Sequence, residues 1–243
     1  MMEIAKLIER HIAMQDIQER LHHVAHRPGA FVEGDVAYGP CLLISRECGS
    51  GGVGIGKHVS QRLGWNLFDR EIVDEIARLA HVRERLIESV DEHVRSYWDR
   101  TWLEVLTASD LVDKKYLRYL REVVLSLAYH GEAVIIGRGA QYILPSRCAV
   151  RVRVVAPLPL RIERVAEREG LSQAQARAKV KEFDAERTLF IKKTFEGNAA
   201  SPLNYDLLIN TAEVSMEHGA EIVLVALREK LGVSLHAPAH ASK

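Results

Sequence analysis

Residues Gly49-Ser50-Gly51-Gly52-Val53-Gly54-Ile55-Gly56-Lys57 decide how the rest of this chain is read, because they stand between an apolar run and a helical pattern. Within them, Gly51 to Lys57 satisfies GxxxxGK. A loop of this kind leaves successive backbone N–H groups free to converge on a phosphate, its glycines permit close approach, and its lysine reaches the outer phosphates. The reading therefore places a nucleoside triphosphate on Gly51, Gly52, Val53, Gly54, Ile55, Gly56, Lys57 and His58. The flanks agree with it. Cys41-Leu42-Leu43-Ile44 suits a buried parallel strand, and Val59 and Leu63, followed by Gly64, suit a short helix after the loop. The residue after the lysine is His58, where the full motif has Ser or Thr to ligate magnesium, so the metal's protein contact is left unassigned.

Length and composition set outer limits. At 243 residues with 47% apolar content, the chain suits one large domain or a core with an inserted lobe, and it has ample material for a packed interior. Lys+Arg and Asp+Glu both number 33. No overall positive field advertises nucleic acid or an anionic membrane surface, so any anion binding has to come from local clusters. Cys41, Cys48 and Cys148 have no CxxC spacing, and no signal-peptide pattern opens the sequence, so a reducing cytoplasm is expected. Cys48 reads as a small apolar filler. No apolar run approaches the roughly 20 residues that span a bilayer.

Short β-rich runs then alternate with longer helical patterns. Five strands are expected at Cys41–Ser45, Asn66–Phe68, Ala133–Ile136, Val150–Val155 and Asp206–Asn210, with helices near 71–80, 84–130 with breaks, 158–169, 172–196 and 215–231. That alternation predicts a parallel sheet covered on both faces, whose ligands bind beyond the carboxyl ends of the strands. Pro159 with Gly170, and the capping box Ser172 to Gln175, mark helix boundaries. Residues 1–39 read as an N-terminal helical arm, with Ile4, Ile8 and Ile12 and then Ile17, Leu21 and Val24 at helical spacing; the arm is also expected to pair two chains as a homodimer. Its histidines, His11, His22, His23 and His26, lack acidic or cysteine partners at ligand spacing and read as a solvated face. Residues 233–243 read as a flexible tail.

Arginines form a second pattern. Arg138 directly follows Val134-Ile135-Ile136-Gly137 and should project from the same sheet edge as the glycine loop. Arg161, Arg164 and Arg168 recur at helical spacing, and Asp184 with Arg187 lies on the next helix. Arg138, Arg161 and Arg187 are read as phosphate contacts, whereas Arg168, Lys192 and Lys193 are read as solvated surface. Arg151 and Arg153 alternate with valines and are read as the solvated start of a strand. Tyr97, Trp98 and Trp102 are read as packing.

The runs Ile44-Ser45-Arg46-Glu47 through the glycine loop to Phe68-Asp69-Arg70-Glu71-Ile72, Val134-Ile135-Ile136-Gly137-Arg138-Gly139-Ala140, Arg168-Glu169-Gly170-Leu171-Ser172 and Asn204-Tyr205-Asp206-Leu207-Leu208-Ile209-Asn210-Thr211 resemble the cytidylate kinase-like family, a branch of the P-loop nucleoside monophosphate kinases. The resemblance covers about residues 40–232. It implies a three-layer α/β P-loop fold on a five-stranded parallel sheet, with a helical acceptor lobe at about 71–120 and a lid at about 164–187. It also implies ATP with Mg2+ and a nucleotide acceptor. By position, Lys57 holds donor phosphates, while Asp69, Arg121 and Arg138 meet the acceptor. Arg161, Asp184 and Arg187 surround the transferring group. Three positions depart from the family pattern: Gly139 stands where an aspartate would meet cytosine, Arg70 replaces a small hydroxyl residue, and Glu75 replaces an arginine. CMP or dCMP is the leading acceptor. Two other readings stand beside it: a nucleotide-binding module with little catalysis, and a P-loop kinase with a non-nucleotide acceptor.

Overall fold

The computed structural model describes residues 2–21, 31–33, 36–102 and 114–235. His22, His23 and His26, part of the acceptor lobe at 103–113, and most of the expected tail at 236–243 lie outside the described residues.

The apolar runs do form parallel strands. After a short antiparallel hairpin of β1 (Phe31–Glu33) and β2 (Val36–Tyr38) come β3 (Cys41–Arg46), β4 (Asn66–Phe68), β5 (Ala133–Ile136), β6 (Ala149–Val155) and β7 (Leu207–Asn210). The last five make one sheet in the order β4-β5-β3-β6-β7, all parallel, with Cys41 opposite both Ala133 and Ala149. Because side chains alternate faces along a strand, β3 divides its residues between two cores. Cys41 and Leu43 join a cluster with Phe68, Ile76, Leu86 and Leu127 on one side, while Leu42 and Ile44 join Ile55, Val223 and Leu227 on the other. Removing a large side chain from either cluster, Phe68 or Leu227 for example, is expected to cost about 3–5 kcal/mol.

Helices follow each strand. On one face lie α1 (Met2–Leu21), α3 (Arg70–Arg78), α4 (Ala80–Glu88), α5 (Glu92–Trp102) and α6 (Lys114–His130); on the other lie α2 (Gly52–Leu63) and α10 (Met216–Leu231). The single turn α7 (Ala140–Ile143) follows β5. Between β6 and β7, α8 (Leu158–Glu169) and α9 (Gln173–Phe195) form a hairpin. Gly170 closes α8 in the left-handed conformation, and Ser172 with Gln175 makes the capping box that opens α9. This hairpin has a small core of its own, Ile162, Val165, Ala166, Ala176 and Val180, into which Cys48 packs. The arm helix α1 is docked on its own chain, with Ile8 and His11 buried against α4 and α6. Trp98 is buried and donates its indole N–H to Tyr38 Oη at 2.9 Å.

The glycine-rich stretch takes a different form from the loop its spacing suggests. Gly51, at φ 86°, is the N-cap of α2, so Gly52 to Lys57 is helix and the turn preceding it comprises Glu47 to Gly51. Packing explains the helical glycines. A Cβ on Gly52 would lie 2.7 Å from the Cβ of Arg46, one on Gly56 would lie 2.8 Å from Ile136 Cδ1, and one on Gly54 would collide with Met216 Sδ at the start of α10. The spacing reflects a helix pressed against the sheet and α10.

Candidate functional site

All five parallel strands end on one edge, so the segments leaving them converge: Arg46 and the turn after β3, Asp69 and Arg70 after β4, Gly137 and Arg138 after β5, Ala156 after β6 and Thr211 after β7. Gly137 N–H donates to the Ile44 carbonyl at 2.9 Å, which ties the exits of two adjacent strands together. Beyond this edge lies a cavity of about 250 Å³. Its charged lining is Arg46, Arg70, Arg138, Arg153 and Arg187 against a single acid, Glu186.

Each of these arginines arrives from a different element, and most have a carboxylate behind them. Arg138, at φ 52° in the turn before α7, pairs with Asp74 of α3, and its guanidinium lies over the Phe190 ring at 5.2 Å. Asp74 is also held by the Tyr116 hydroxyl at 2.7 Å; burial, and then that hydrogen bond, pushes the phenol's pKa upward. Arg70 faces Glu186 at 3.8 Å. Arg153 donates to Ser45 Oγ at 2.7 Å and lies 4.0 Å from Glu47. Arg187 donates to the Arg46 carbonyl at 3.3 Å, lies 3.8 Å from Asp184, and has its pKa lowered, chiefly by burial. Arg46 is lowered to about 10 by burial and then by the neighbouring Arg187.

The turn after β3 is the second half of the site. Ser50 N–H and Oγ both donate to the Glu47 carbonyl, closing the turn, and the Thr211 hydroxyl donates to the Ser50 carbonyl at 2.7 Å. Arg164 holds Thr211 through its side chain and its carbonyl. The first-turn amides of α2 then face outward from Gly51, as the N-terminus of any helix leaves them. One amide of the turn is already engaged: Cys48 N–H donates to Asp184 Oδ1 at 2.8 Å.

The residues expected from sequence are thus sorted in space. Arg138 and Arg187 line the cavity, and Asp184 and Arg161 join the turn to the α8–α9 hairpin. Arg161 is buried and held by protein groups: it donates to the carbonyls of Ala156 and Cys48 and to Asp184, and lies 3.3 Å from Glu47. Gly51 and Gly52 meet the turn, whereas Val53, Gly54, Ile55 and Gly56 run into the body of α2. Lys57 is the sixth residue of that helix and is exposed, away from both the turn and the cavity lining. His58 lies on the α2 flank, 3.5 Å from Glu217. Asp69 caps α3 by accepting from Ile72 N–H at 3.1 Å. Arg121 is buried in α6 with its guanidinium on the Trp98 carbonyl and does not line the cavity.

Arg46, Arg70, Asp74 and Arg153 belong to the site and were not expected there from sequence. Arg153 corrects the reading of a solvated strand start: β6 is paired on both edges, Val150, Val152 and Val154 fill one face, and Arg153 therefore faces the cavity, its side chain 14% exposed. Arg151 is likewise paired, with Asp206 across to β7. Gly139, the position of the missing aspartate, has no room for a side chain, since a Cβ there would collide with the Phe195 ring.

A magnesium ion finds little among these residues. No group of three or more His, Cys, Asp or Glu side chains suited to a metal occurs among the described residues, and the two carboxylates at the turn, Glu47 and Asp184, are taken by Arg161. Magnesium held chiefly by donor phosphates and water would arrive with the incoming substrate.

Comparison with known proteins gives the chain a family. The profile of the cytidylate kinase-like family matches residues 42–213, a span holding both the turn and the arginine cavity. Among curated proteins, a cytidylate kinase from Pyrococcus horikoshii is 34% identical over 107 residues, 42% of this chain and 53% of that protein. A uronate isomerase from Corynebacterium glutamicum is 27% identical over 128 residues, 52% of this chain and 25% of that protein. The chain thus spans between a quarter and about half the length of these relatives. A solved structure of an uncharacterized protein from Eubacterium ventriosum covers 78% of this chain and 98% of itself, with a TM-score of 0.60 at 20% identity, a likeness of fold.

Proposed function

Since the chain belongs to the cytidylate kinase-like family, we propose that it is a phosphotransferase moving the terminal phosphoryl group of ATP onto a nucleoside monophosphate, with CMP or dCMP the leading acceptor. The observation that carries the reading is the meeting of two anion-seeking features at one sheet edge: the turn Glu47–Gly51 with the first amides of α2, and the cavity lined by five guanidinium groups. The first takes the donor phosphates. The second takes the acceptor.

The chemistry asks little more of the protein. The acceptor's phosphate oxygen forms the new P–O bond to the γ-phosphorus as the bond from that phosphorus to the bridging oxygen breaks, and ADP leaves. A phosphate monoester with a second pKa near 6 is largely dianionic at neutral pH, so its oxygen attacks without a general base. The cavity lining accordingly needs no histidine or lysine and contains none. What remains is alignment and neutralisation of charge, which arginine forks supply. Arg187 stands between the two halves, bonded to the Arg46 carbonyl and close to Asp184, which itself holds the turn; it is therefore the group set to follow the phosphoryl from donor to acceptor. Phe190, Ile191 and Ala199 give the cavity an apolar wall that limits water beside the reacting oxygens.

Incubating the protein with ATP, magnesium and each nucleoside monophosphate, and following ADP, tests the reading. Turnover with an acceptor, reduced by on the order of 10²–10³-fold in Arg187→Ala, is expected, as for the loss of a donor that stabilises developing charge. ATP binding without turnover by any monophosphate would instead support a nucleotide-binding module. That second reading draws on one observation, the distance of Lys57 from the turn.

A further inference from the structure

Of the five arginines that line the cavity, four have a carboxylate within 4.0 Å: Arg70 with Glu186, Arg138 with Asp74, Arg153 with Glu47 and Arg187 with Asp184. Arg46 has none among the described residues, and its buried Nε has no hydrogen-bond partner. Two of those carboxylates, Glu47 and Asp184, are shared with Arg161, so the cations here outnumber the acids, and of the five lining arginines Arg46 is the one with no carboxylate in direct contact among the described residues. Glu71 and Asp69 act on its charge only from beyond ion-pair distance, and a guanidinium withdrawn from water with no carboxylate in direct contact is a costly arrangement that a fold keeps only where something else meets it.

The surroundings are built around it. A Cβ on Gly137 would collide with Arg46 Nη1, and a Cβ on Gly52 would press on Arg46 Cβ at 2.7 Å, so two glycines from separate elements make room for one arginine. Gly137 sits at φ 88°, a backbone conformation glycine adopts without strain. The Arg46 carbonyl is fixed by Arg187, and the neighbouring β3 residue Ser45 takes a hydrogen bond from Arg153. The base of the side chain is thus fixed while its charged end has no carboxylate in direct contact.

We propose that Arg46 is the docking point for the phosphate of the acceptor, and that the ligand it selects is a phosphate monoester dianion. This rests on the reading of the cavity as the acceptor end. The flanking guanidinium groups each have a carboxylate within 4.0 Å, so they orient the ligand, whereas Arg46, with no carboxylate in direct contact, is the group that takes its charge. Lysine at this position keeps a positive charge but lacks the planar fork that spans two phosphate oxygens. It should restore part of the affinity.

Calorimetric titration with CMP, in the absence of ATP, reads the proposal directly. Arg46→Gln is expected to weaken CMP by on the order of 10- to 100-fold, the range for a lost charged hydrogen bond, and Arg46→Lys by less, while the affinity for a non-hydrolysable ATP analogue changes less than about threefold in both. Thermal midpoints of the unliganded variants, and the shift that inorganic phosphate produces relative to chloride at equal ionic strength, provide a second measurement. Wild type should be stabilised by phosphate and Arg46→Gln should not. Arg46-dependent binding of CMP and phosphate in a protein that turns over no monophosphate would uphold this site and sink the kinase reading. Turnover with an unchanged acceptor KM in a folded Arg46→Gln protein would overturn the site and leave the kinase reading standing.

Discussion

Lys57 is the residue on which the sequence pattern and the folded chain part most clearly. At 1.5 Å per residue, its Cα lies about 7.5 Å along the axis from Gly52, and it is exposed on the α2 surface. Lys57 is absent from the cavity lining and five residues along the helix from its first amides. Lys57→Ala should therefore leave turnover within about twofold and stability within about 0.5 kcal/mol, the range for a surface substitution. A hundredfold loss in the same ADP assay would mean that α2 unwinds when nucleotide binds. Arg138 and Arg187 were legible because a cation directly after an apolar strand, or on the helix packed over its end, has few places to go. Arg46 and Arg153 were hidden for separate reasons. Arg153 sits inside β6, where alternation with valines looks the same whether the polar face meets water or a closed cavity, and Arg46 ends β3 just before the glycine-rich stretch that drew the phosphate reading.

At the scale of elements, the alternation of strand and helix was readable almost to the residue, since the central strands β3 and β5 are buried on both faces and written as apolar runs, while β6 keeps Val150, Val152 and Val154 at every second position. The helix boundary after β3 was not, because glycines that relieve close packing look the same in sequence as glycines that cradle an anion. The seating of α1 was also hidden, its histidines having been read as a wet face. His11 is buried with its ring edge-on to Phe68 and His130, and its Nδ1 lies 3.0 Å from the Asn66 amide, which Arg10 also holds. Burial, and then the nearby His130, lowers its pKa from 6.5 to about 3. The unfolded chain therefore takes up a proton that the folded one refuses, so this group's contribution is whole above pH 6.5 and is lost as pH falls toward 3. By pH 5 the loss is about 2 kcal/mol, at 1.36 kcal/mol per unit. Urea unfolding at pH 7.5 and 5.0 should show that wild type loses about 2 kcal/mol more than His11→Gln between the two conditions. Equal losses in both would show that His11 titrates alike in the folded and unfolded chains.

For the molecule as a whole, the question is what couples the α8–α9 hairpin to the sheet edge it overhangs. Family resemblance gave Arg161 a part around the transferring phosphoryl, yet its guanidinium is spent on four protein groups: the carbonyls of Ala156 and Cys48, and the carboxylates of Glu47 and Asp184. Those groups belong to the exit of β6, the turn after β3 and the middle of α9, so one side chain on α8 joins three of the segments around the donor half of the site. Gly49 is pressed against the same point, where a Cβ would come within 2.5 Å of the Arg161 carbonyl. Removing the guanidinium would leave Glu47 and Asp184 with only the longer contacts to Arg153 at 4.0 Å and Arg187 at 3.8 Å. Breaking a buried pair by deleting one partner costs about 3–5 kcal/mol, which in a chain of this size lowers the thermal midpoint by roughly 10 °C. Arg161→Ala should show that drop in calorimetry without any nucleotide present, together with faster amide exchange at Cys48 and along α9. A variant that melts with wild type but has lost turnover would return Arg161 to the reacting groups and leave the hairpin held by its small apolar core alone.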